Sequence, residues 1–83
     1  MYSVKLTASA KRELKNISKL NREAVSVMIE ELKTDPLLGK PLGWELTGMF
    51  SFKVGVYRIV YKLKPKDKQV LVLRVGHRSK VYE

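Results

Sequence analysis

The 83-residue sequence contains no cysteine. Without thiols, the chain can form neither a disulfide framework nor a thiolate zinc site. No apolar run approaches the roughly 20 residues that a membrane-spanning helix needs, and the N-terminus lacks the apolar stretch of a signal peptide. These absences predict a cytoplasmic protein that has no membrane partner.

Acidic residues are scarce in the second half of the chain, where only Glu45, Asp67 and Glu83 occur. Their wide spacing offers no carboxylate pair for acid–base catalysis. The single histidine, His77, has no acidic or cysteine neighbour with which to form a metal site, and no glycine-rich phosphate loop is present. The sequence therefore predicts neither a metal nor a small-molecule cofactor.

Basic residues are abundant instead. Lysine and arginine number 17 against 8 acidic residues, which gives a formal net charge of +9. Such an excess favours a polyanionic partner, because cations that neutralise phosphates release condensed counterions. The same charge is compatible with a soluble protein that merely happens to be basic. The proportions of hydrophobic and charged residues, 45% and 30%, predict one globular domain over residues 1–83.

The first half of the chain carries a strand pattern followed by two helical patterns. Residues 2–6 alternate between apolar and polar side chains, which predicts a strand. Thr7 is expected to cap a first helix that ends near Ser18, and Asn21 to cap a second helix that Pro36 terminates. The short join between the helices predicts an antiparallel helical hairpin.

The second half of the chain is rich in strands. Residues 35–47 predict an apolar loop that packs on the core. Three strands are predicted, over residues 50–54, 57–63 and 69–75, with a hairpin turn at Gly55 and a tail from His77. The predicted fold class is α+β, in the order β-α-α-β-β-β, with the helical hairpin packed on one face of a small, mostly antiparallel sheet.

Cations and phenols late in the chain are the candidates for chemistry. Cleavage of RNA by its own 2′-OH needs one group to accept the 2′ proton, one to stabilise charge on the phosphorane and one to protonate the leaving 5′-oxygen. Arginine suits the second task, and His77 or Tyr82 can transfer protons. The candidate catalytic residues are Arg58, Arg78, Tyr82 and His77. The candidate RNA- or phosphate-binding residues are Lys53, Arg74 and Lys80 in this part of the chain, together with Lys11, Arg12 and Lys15 of the first predicted helix. The basic side of that helix can equally be a solvated face.

Each of these candidate residues can also have a purely structural role. Arg58 interrupts a strand of large apolar residues, where arginine is costly unless that face is a polar groove. Arg78 can be a solvated surface charge, and the Tyr82 ring can pack against the edge of the sheet. Tyr57 and Tyr61 share the parity of the apolar residues in their strand, which favours core packing over base stacking.

Several segments resemble the RelE family of toxins from toxin–antitoxin systems. The most specific are VYRIVY at residues 56–61 and VLRVGHRSKVY at residues 72–82, and the segments YSVKLTASAKREL, DPLLGKPL and LTGMFSFKVG also match. The resemblance implies a ribosome-dependent, metal-independent endoribonuclease that cuts messenger RNA in the decoding site through 2′-OH attack. It also implies neutralisation by a small RelB-like antitoxin that wraps the toxin surface.

The same resemblance assigns roles to individual residues. Arg58 matches the strand arginine that stabilises the transition state, and Arg78 matches the arginine after the VG turn. Tyr82 matches the terminal tyrosine near the reacting nucleotide. Lys53 lies where the family often has a basic residue before the turn. His77 lies where many relatives have histidine or another basic residue.

The sequence departs from the family pattern at two positions. The best-known RelE branch has lysines earlier in the strand after the loop, which are held to serve proton transfer. This chain has Met49 and Ser51 in those places. His77 is the leading candidate to replace them as the general base.

Two other functions stay open. One is a ParE-like toxin that inhibits DNA gyrase through a protein–protein surface. ParE-like chains generally lack the late arginine and tyrosine set, so the segment GHRSKVY at residues 76–82 argues against this alternative. The other is a non-catalytic relative that binds RNA or the ribosome.

Overall fold

The computed structural model describes residues 1–43 and 48–77, which form two α-helices and a five-stranded sheet. The elements are β1 (Ser3–Leu6), α1 (Ala8–Asn16), α2 (Lys19–Glu31), β2 (Lys40–Pro41), β3 (Met49–Val54), β4 (Tyr57–Lys64) and β5 (Gln69–His77). The strand order is β1-β5-β4-β3-β2; β1 and β5 are parallel, and the other pairs are antiparallel. Of the described helices, neither has the length and hydropathy to span a membrane.

Both helices contribute to a core on one face of the sheet. Strand alternation places Ile59 and Tyr61 of β4 on this face, where they pair with Val75 and Val72 of β5. The core residues are Ala10, Val25, Ile29, Leu32, Ile59, Tyr61, Val70, Val72 and Val75. The predicted α+β fold is therefore confirmed, as is the prediction that Tyr61 packs in the core.

The predicted N-cap residue is correct for the first helix and wrong for the second. Thr7 caps α1 as predicted, since its hydroxyl accepts a hydrogen bond from the N–H of Ala10 at 3.1 Å. The cap of α2 is Ser18, not Asn21, and its hydroxyl accepts from the backbone and side-chain amides of Asn21 at 3.4 and 3.0 Å. Serine and asparagine are both good capping residues. Because α1 ends at Asn16, earlier than predicted, Ser18 is free to cap α2 in place of Asn21.

The sheet extends beyond the predicted strands. β5 continues through Gly76 to His77, where a tail was predicted, because β4 provides pairing partners as far as Tyr57. β2 lies inside the segment that was predicted to be a loop. It pairs Lys40 with Ser51 of β3. The predicted hairpin turn at Gly55 is confirmed by the connection between β3 and β4.

Helix α1 takes the place of a strand along the second half of β5. β1 covers only the first four residues of β5. Beyond them, the Thr7 hydroxyl donates to the carbonyl of Leu73 at 2.9 Å, next to a bulge in the β4–β5 pairing. The N–H of Val75 donates to Glu13 at 2.9 Å, and Arg74 donates to both oxygens of that carboxylate at 2.8 to 3.1 Å. Glu13 therefore satisfies a strand edge that has no strand neighbour.

We expect Glu13→Gln to lower the free energy of unfolding by about 1 kcal/mol at neutral pH. The ion pair with the half-exposed Arg74 is lost, while an acceptor for the Val75 N–H remains. Burial acts to raise the pKa of Glu13, but hydrogen bonds from Arg74 and Val75 hold that pKa below its usual 4.5. Because the folded state has the lower pKa, this stabilisation is present above about pH 4.5 and is lost as the pH falls through the folded-state pKa. Urea denaturation over this pH range measures the difference.

Glu30→Gln is the matched control for this prediction. Glu30 forms an ion pair with Lys33 in which both side chains are more than a third exposed, at 67% and 38%. Removal of the same charge from this exposed pair is expected to leave stability nearly unchanged. Identical unfolding curves for the two variants across the pH range would show that the Glu13 contacts do not stabilise the fold.

Candidate functional site

The lysine and arginine residues of the strands lie on the face of the sheet opposite the core. None of the five described strands contains aspartate or glutamate. All seven lysine and arginine residues of these strands fall, by register and strand alternation, on this face. These residues, which we call the basic face, are Lys5, Lys40, Lys53, Arg58, Lys62, Lys64 and Arg74. A surface with this charge and no acid in its strands suits a phosphate-rich polymer.

A pocket of about 290 Å³ opens on the basic face, at strands β2, β3 and β4. The residues that line this basic pocket are Leu38, Lys40, Ser51, Phe52, Lys53 and Arg58. Lys53 and Arg58 lie directly opposite each other in the antiparallel β3–β4 pair. Lys40 lies opposite Ser51 in the β2–β3 pair. The structure thus brings together two of the predicted site residues, Lys53 and Arg58.

The polar residues of the pocket differ in exposure. Lys40 and Lys53 are exposed, whereas Arg58 is half-buried and its Nε atom is shielded from solvent. Ser51 is only 6% exposed. A half-buried guanidinium acts through a lower effective dielectric than an exposed ammonium, so Arg58 should interact more strongly with a bound anion than either lysine does.

The pairing of Lys53 with Arg58 is itself informative. Like charges directly opposite each other on neighbouring antiparallel strands destabilise a sheet, because their Cβ atoms are roughly 5 Å apart. Lys53 and Arg58 are like charges at opposite positions of this kind. An anion bound between the two side chains would remove the repulsion, so the arrangement favours a site for phosphate.

The chemistry available in the basic pocket is charge stabilisation. The guanidinium of Arg58 can donate two parallel hydrogen bonds to phosphate oxygens, and the Lys53 ammonium adds a second positive charge. Such groups stabilise the extra charge that a phosphorane carries in its transition state. None of the described residues that line the pocket is a carboxylate, so a bound phosphate meets only positive and neutral groups among them.

His77 does not lie in the basic pocket. It pairs with Tyr57 at the end of β5, and their rings meet edge to face at 6.3 Å. Arg58 is the next residue after Tyr57, so strand alternation directs it to the opposite face of the sheet. Register therefore separates His77 from Arg58, and the described geometry gives no support to the prediction that His77 is the general base of this pocket.

The other predicted site residues have different positions. Arg74 belongs to the basic face by register, but its guanidinium is paired with Glu13, and this contact raises its pKa. Burial acts in the opposite direction on that pKa. The remaining cations with described positions lie exposed on α1, away from the pocket lining: Lys11, Arg12 and Lys15. Three predicted residues lie outside the described part of the chain: Arg78, Lys80 and Tyr82.

Of the three cations among the described lining residues, sequence reasoning missed one, Lys40. A strand of two residues is too short to show an alternating pattern, so the segment read as a loop. The available signal was Gly39, which precedes Lys40 in an otherwise apolar segment. Glycine at such a place often marks close approach of the backbone to another element.

Three comparisons relate the chain to known proteins. The family model described as ParE toxin of type II toxin–antitoxin system, parDE, matches residues 4–82. Toxin RelG of Mycobacterium tuberculosis is 36% identical over 83 residues, which cover 98% of this chain and 95% of the relative. Toxin RelE of the same organism is 34% identical over 83 residues, covering 98% of this chain and 86% of the relative.

Solved structures share the fold. A chain of the RelBE2 toxin–antitoxin complex from Mycobacterium tuberculosis superimposes with a TM-score of 0.83 at 38% identity, over 93% of this chain and 98% of that one. The isolated E. coli RelE toxin superimposes with a TM-score of 0.82 at 25% identity, over 99% of this chain and 92% of that one. The similarity in sequence and in structure therefore extends over nearly the whole chain.

Proposed function

Since the chain belongs to the RelE/ParE family of toxins from type II toxin–antitoxin systems, we propose that it is a ribosome-dependent endoribonuclease that cuts messenger RNA in the decoding site. It acts in the cytoplasm, where it inhibits translation. The basic pocket carries this proposal, because Arg58 and Lys53 converge on a surface whose described strands contain no carboxylate. A site with these properties holds a phosphodiester and stabilises added negative charge on it.

The proposed reaction is transesterification within the RNA. The 2′-oxygen loses its proton and attacks the adjacent phosphorus, and the bond from phosphorus to the 5′-oxygen breaks. The leaving 5′-oxygen takes up a proton, so the products are a 2′,3′-cyclic phosphate and a 5′-OH. The nucleophile belongs to the substrate, so the reaction needs neither a metal ion nor a water molecule as attacking group.

In this reaction Arg58 binds the non-bridging oxygens of the scissile phosphate and stabilises the phosphorane. Lys53, across the strand pair, holds the same phosphate in place. Arg78 and Tyr82 follow β5 in the sequence and stay predicted members of the site, Arg78 in phosphate binding and Tyr82 in proton transfer. The described residues that line the pocket include neither a carboxylate nor an imidazole that could accept the 2′-OH proton.

A cognate RelB-like antitoxin completes the proposed system. The Mycobacterium tuberculosis relative was solved as a toxin–antitoxin complex. This chain has a net charge of +9, so an antitoxin whose toxin-binding segment is acidic complements it and associates rapidly. Such a segment, when bound, competes with RNA for the basic face.

We expect the purified protein to cut mRNA on programmed ribosomes and to leave an mRNA intact when the nucleotide 5′ to the cut site is replaced by its 2′-deoxy form. The nucleophile is then missing, while the phosphate that Arg58 and Lys53 bind is unchanged. Primer extension locates the cut, and end analysis should find a 2′,3′-cyclic phosphate. Cleavage of the deoxy substrate at the same position would overturn the 2′-OH mechanism, and absence of any cleavage on ribosomes would overturn the enzymatic proposal.

The match to a model described as ParE toxin supports a second candidate, a toxin that inhibits DNA gyrase through a protein surface. A supercoiling assay with purified gyrase separates the two candidates. Inhibition of supercoiling by a protein that leaves ribosome-bound mRNA intact would establish the second. The expected result is mRNA cleavage with normal supercoiling.

A further inference from the structure

The segment that precedes β2 is fixed to the core by one buried phenol. The Tyr61 side chain is fully buried, and its ring stacks on Phe50 with the centroids 5.4 Å apart. Its hydroxyl donates to the carbonyl of Pro36 at 2.8 Å and accepts from the N–H of Gly39 at 2.9 Å. Two backbone groups of a connecting segment thus share one buried side chain, so this part of the segment has a defined position.

Gly39 makes that position possible. A Cβ atom at residue 39 would lie 2.8 Å from the carbonyl oxygen of Ser51 and 3.0 Å from the ring and the hydroxyl of Tyr61. Only a residue without a side chain can bring the backbone this close to β3. The next residue, Lys40, therefore pairs with Ser51 as part of the sheet.

This placement brings a third cation to the basic pocket. Lys40 faces Ser51 across the β2–β3 pair, and Lys53 is two residues further along β3 on the same face. Neighbouring strands are about 4.8 Å apart, and residues two apart on a strand are roughly 6.7 Å apart. The three cations Lys40, Lys53 and Arg58 therefore come from three adjacent strands and surround one opening.

We propose that Lys40 is a substrate-binding residue of the basic pocket, which contacts an RNA phosphate next to the one that Arg58 and Lys53 hold. This role rests on the proposed RNA substrate. Successive phosphates of an RNA strand are close enough for one pocket with three cations to engage two of them. Lys40 is exposed, so it acts mainly on substrate binding, whereas the half-buried Arg58 acts mainly on the chemical step.

The expected effect of Lys40→Ala is a rise of about tenfold in KM for ribosome-bound mRNA, with kcat changed by less than about threefold. Lys40→Arg keeps the positive charge and should retain nearly full activity. Lys66→Ala is the matched control, because Lys66 is an exposed lysine in the turn before β5 and does not line the pocket. It removes the same charge and should leave KM within about twofold of the original.

A charge reversal adds a test that a purely structural role would not pass. Lys40 is exposed at the pocket, so Lys40→Glu should raise KM more than Lys40→Ala does, because it places a negative charge beside the bound phosphate. An equal rise in KM for Lys40→Ala and Lys66→Ala would overturn the proposal, since the effect would then reflect net charge alone, and so would an unchanged KM for Lys40→Ala.

Binding to a fluorescein-labelled 2′-O-methyl RNA oligonucleotide separates this proposal from the proposed enzymatic activity. The oligonucleotide cannot be cut, so fluorescence anisotropy reports phosphate contacts alone. Lys40→Ala should weaken this binding about tenfold, and Lys66→Ala should not. If the unaltered protein cuts no mRNA, the enzymatic function fails while the anisotropy still decides the role of Lys40. Equal affinity of Lys40→Ala and the unaltered protein would exclude that role.

Discussion

Arg58→Ala is expected to slow mRNA cleavage on ribosomes by about 10²- to 10³-fold, the effect of removing one preorganised group that stabilises transition-state charge. Arg58 is the half-buried cation of the basic pocket and lies opposite Lys53. Its loss removes a bidentate donor from the phosphorane and leaves one neighbouring ammonium. Single-turnover cleavage at saturating toxin measures the chemical step without the contribution of binding.

The melting temperature of the same variant shows whether it is folded. Arg58 is half-buried, and most substitutions at such positions lower stability. Loss of activity in a variant that stays folded at the assay temperature marks a residue that acts in the reaction.

Two further variants define the contribution of Arg58. Arg58→Lys keeps the charge but not the planar fork, so its rate should fall between those of the alanine variant and the unaltered protein. Lys66→Ala is the matched control, since Lys66 is exposed in the turn before β5 and belongs neither to the basic face nor to the pocket lining. Full cleavage activity in Arg58→Ala, or an equal loss in Lys66→Ala, would remove Arg58 from the catalytic site.

Arg58 could be predicted as a candidate site residue from the sequence, because a charged side chain within an apolar strand is energetically unfavourable and the neighbouring residues alone reveal this. A charged residue within a strand of large apolar residues must lie on a polar face of the sheet. Strand alternation places Arg58 on the opposite face from Tyr61. The basic pocket confirms the polar surroundings of Arg58. The fold class could be predicted for the same reason, since the alternation of β4 and the helical spacing of α2 are both short-range patterns.

His77 was harder to place, because its face depends on non-local register. β5 is nearly all apolar from Val70 to Val75, so its sequence shows no alternation from which a face can be assigned. A bulge in the β4–β5 pairing then shifts the register between Val60 and Tyr61. Only the pairing of His77 with Tyr57 reveals its side of the sheet.

Lys40 could not be assigned from the sequence for a related reason. The hydrogen bond between Gly39 and Tyr61 that fixes the segment joins residues 22 positions apart. Neither residue carries a local pattern that indicates the other. The contact is visible only once β4 and the segment before β2 are folded together.

Gly39→Ala is expected to lower the free energy of unfolding by about 1 to 3 kcal/mol, the usual cost of forcing an extra carbon into a packed site. The new Cβ would lie 2.8 Å from a backbone oxygen of β3 and 3.0 Å from the Tyr61 ring, and both of these groups are held in place by the sheet and the core. For a domain of this size each kcal/mol shifts the melting temperature by about 4 to 8 °C. The same displacement moves Lys40, so KM for ribosome-bound mRNA should rise as well.

Gly43→Ala provides the matched control within the same part of the chain. A Cβ at residue 43 has no atom of the described residues within 4 Å, so this variant should keep both its melting temperature and its KM. Tyr61→Phe keeps the ring but removes the hydroxyl that Pro36 and Gly39 bind, and it should raise KM without a steric clash. If Gly39→Ala were as stable and as active as Gly43→Ala, the close approach of this segment to β3 would not determine where Lys40 lies. A rise in KM for both Gly39→Ala and Tyr61→Phe, but not for Gly43→Ala, would tie the position of Lys40 to the buried phenol.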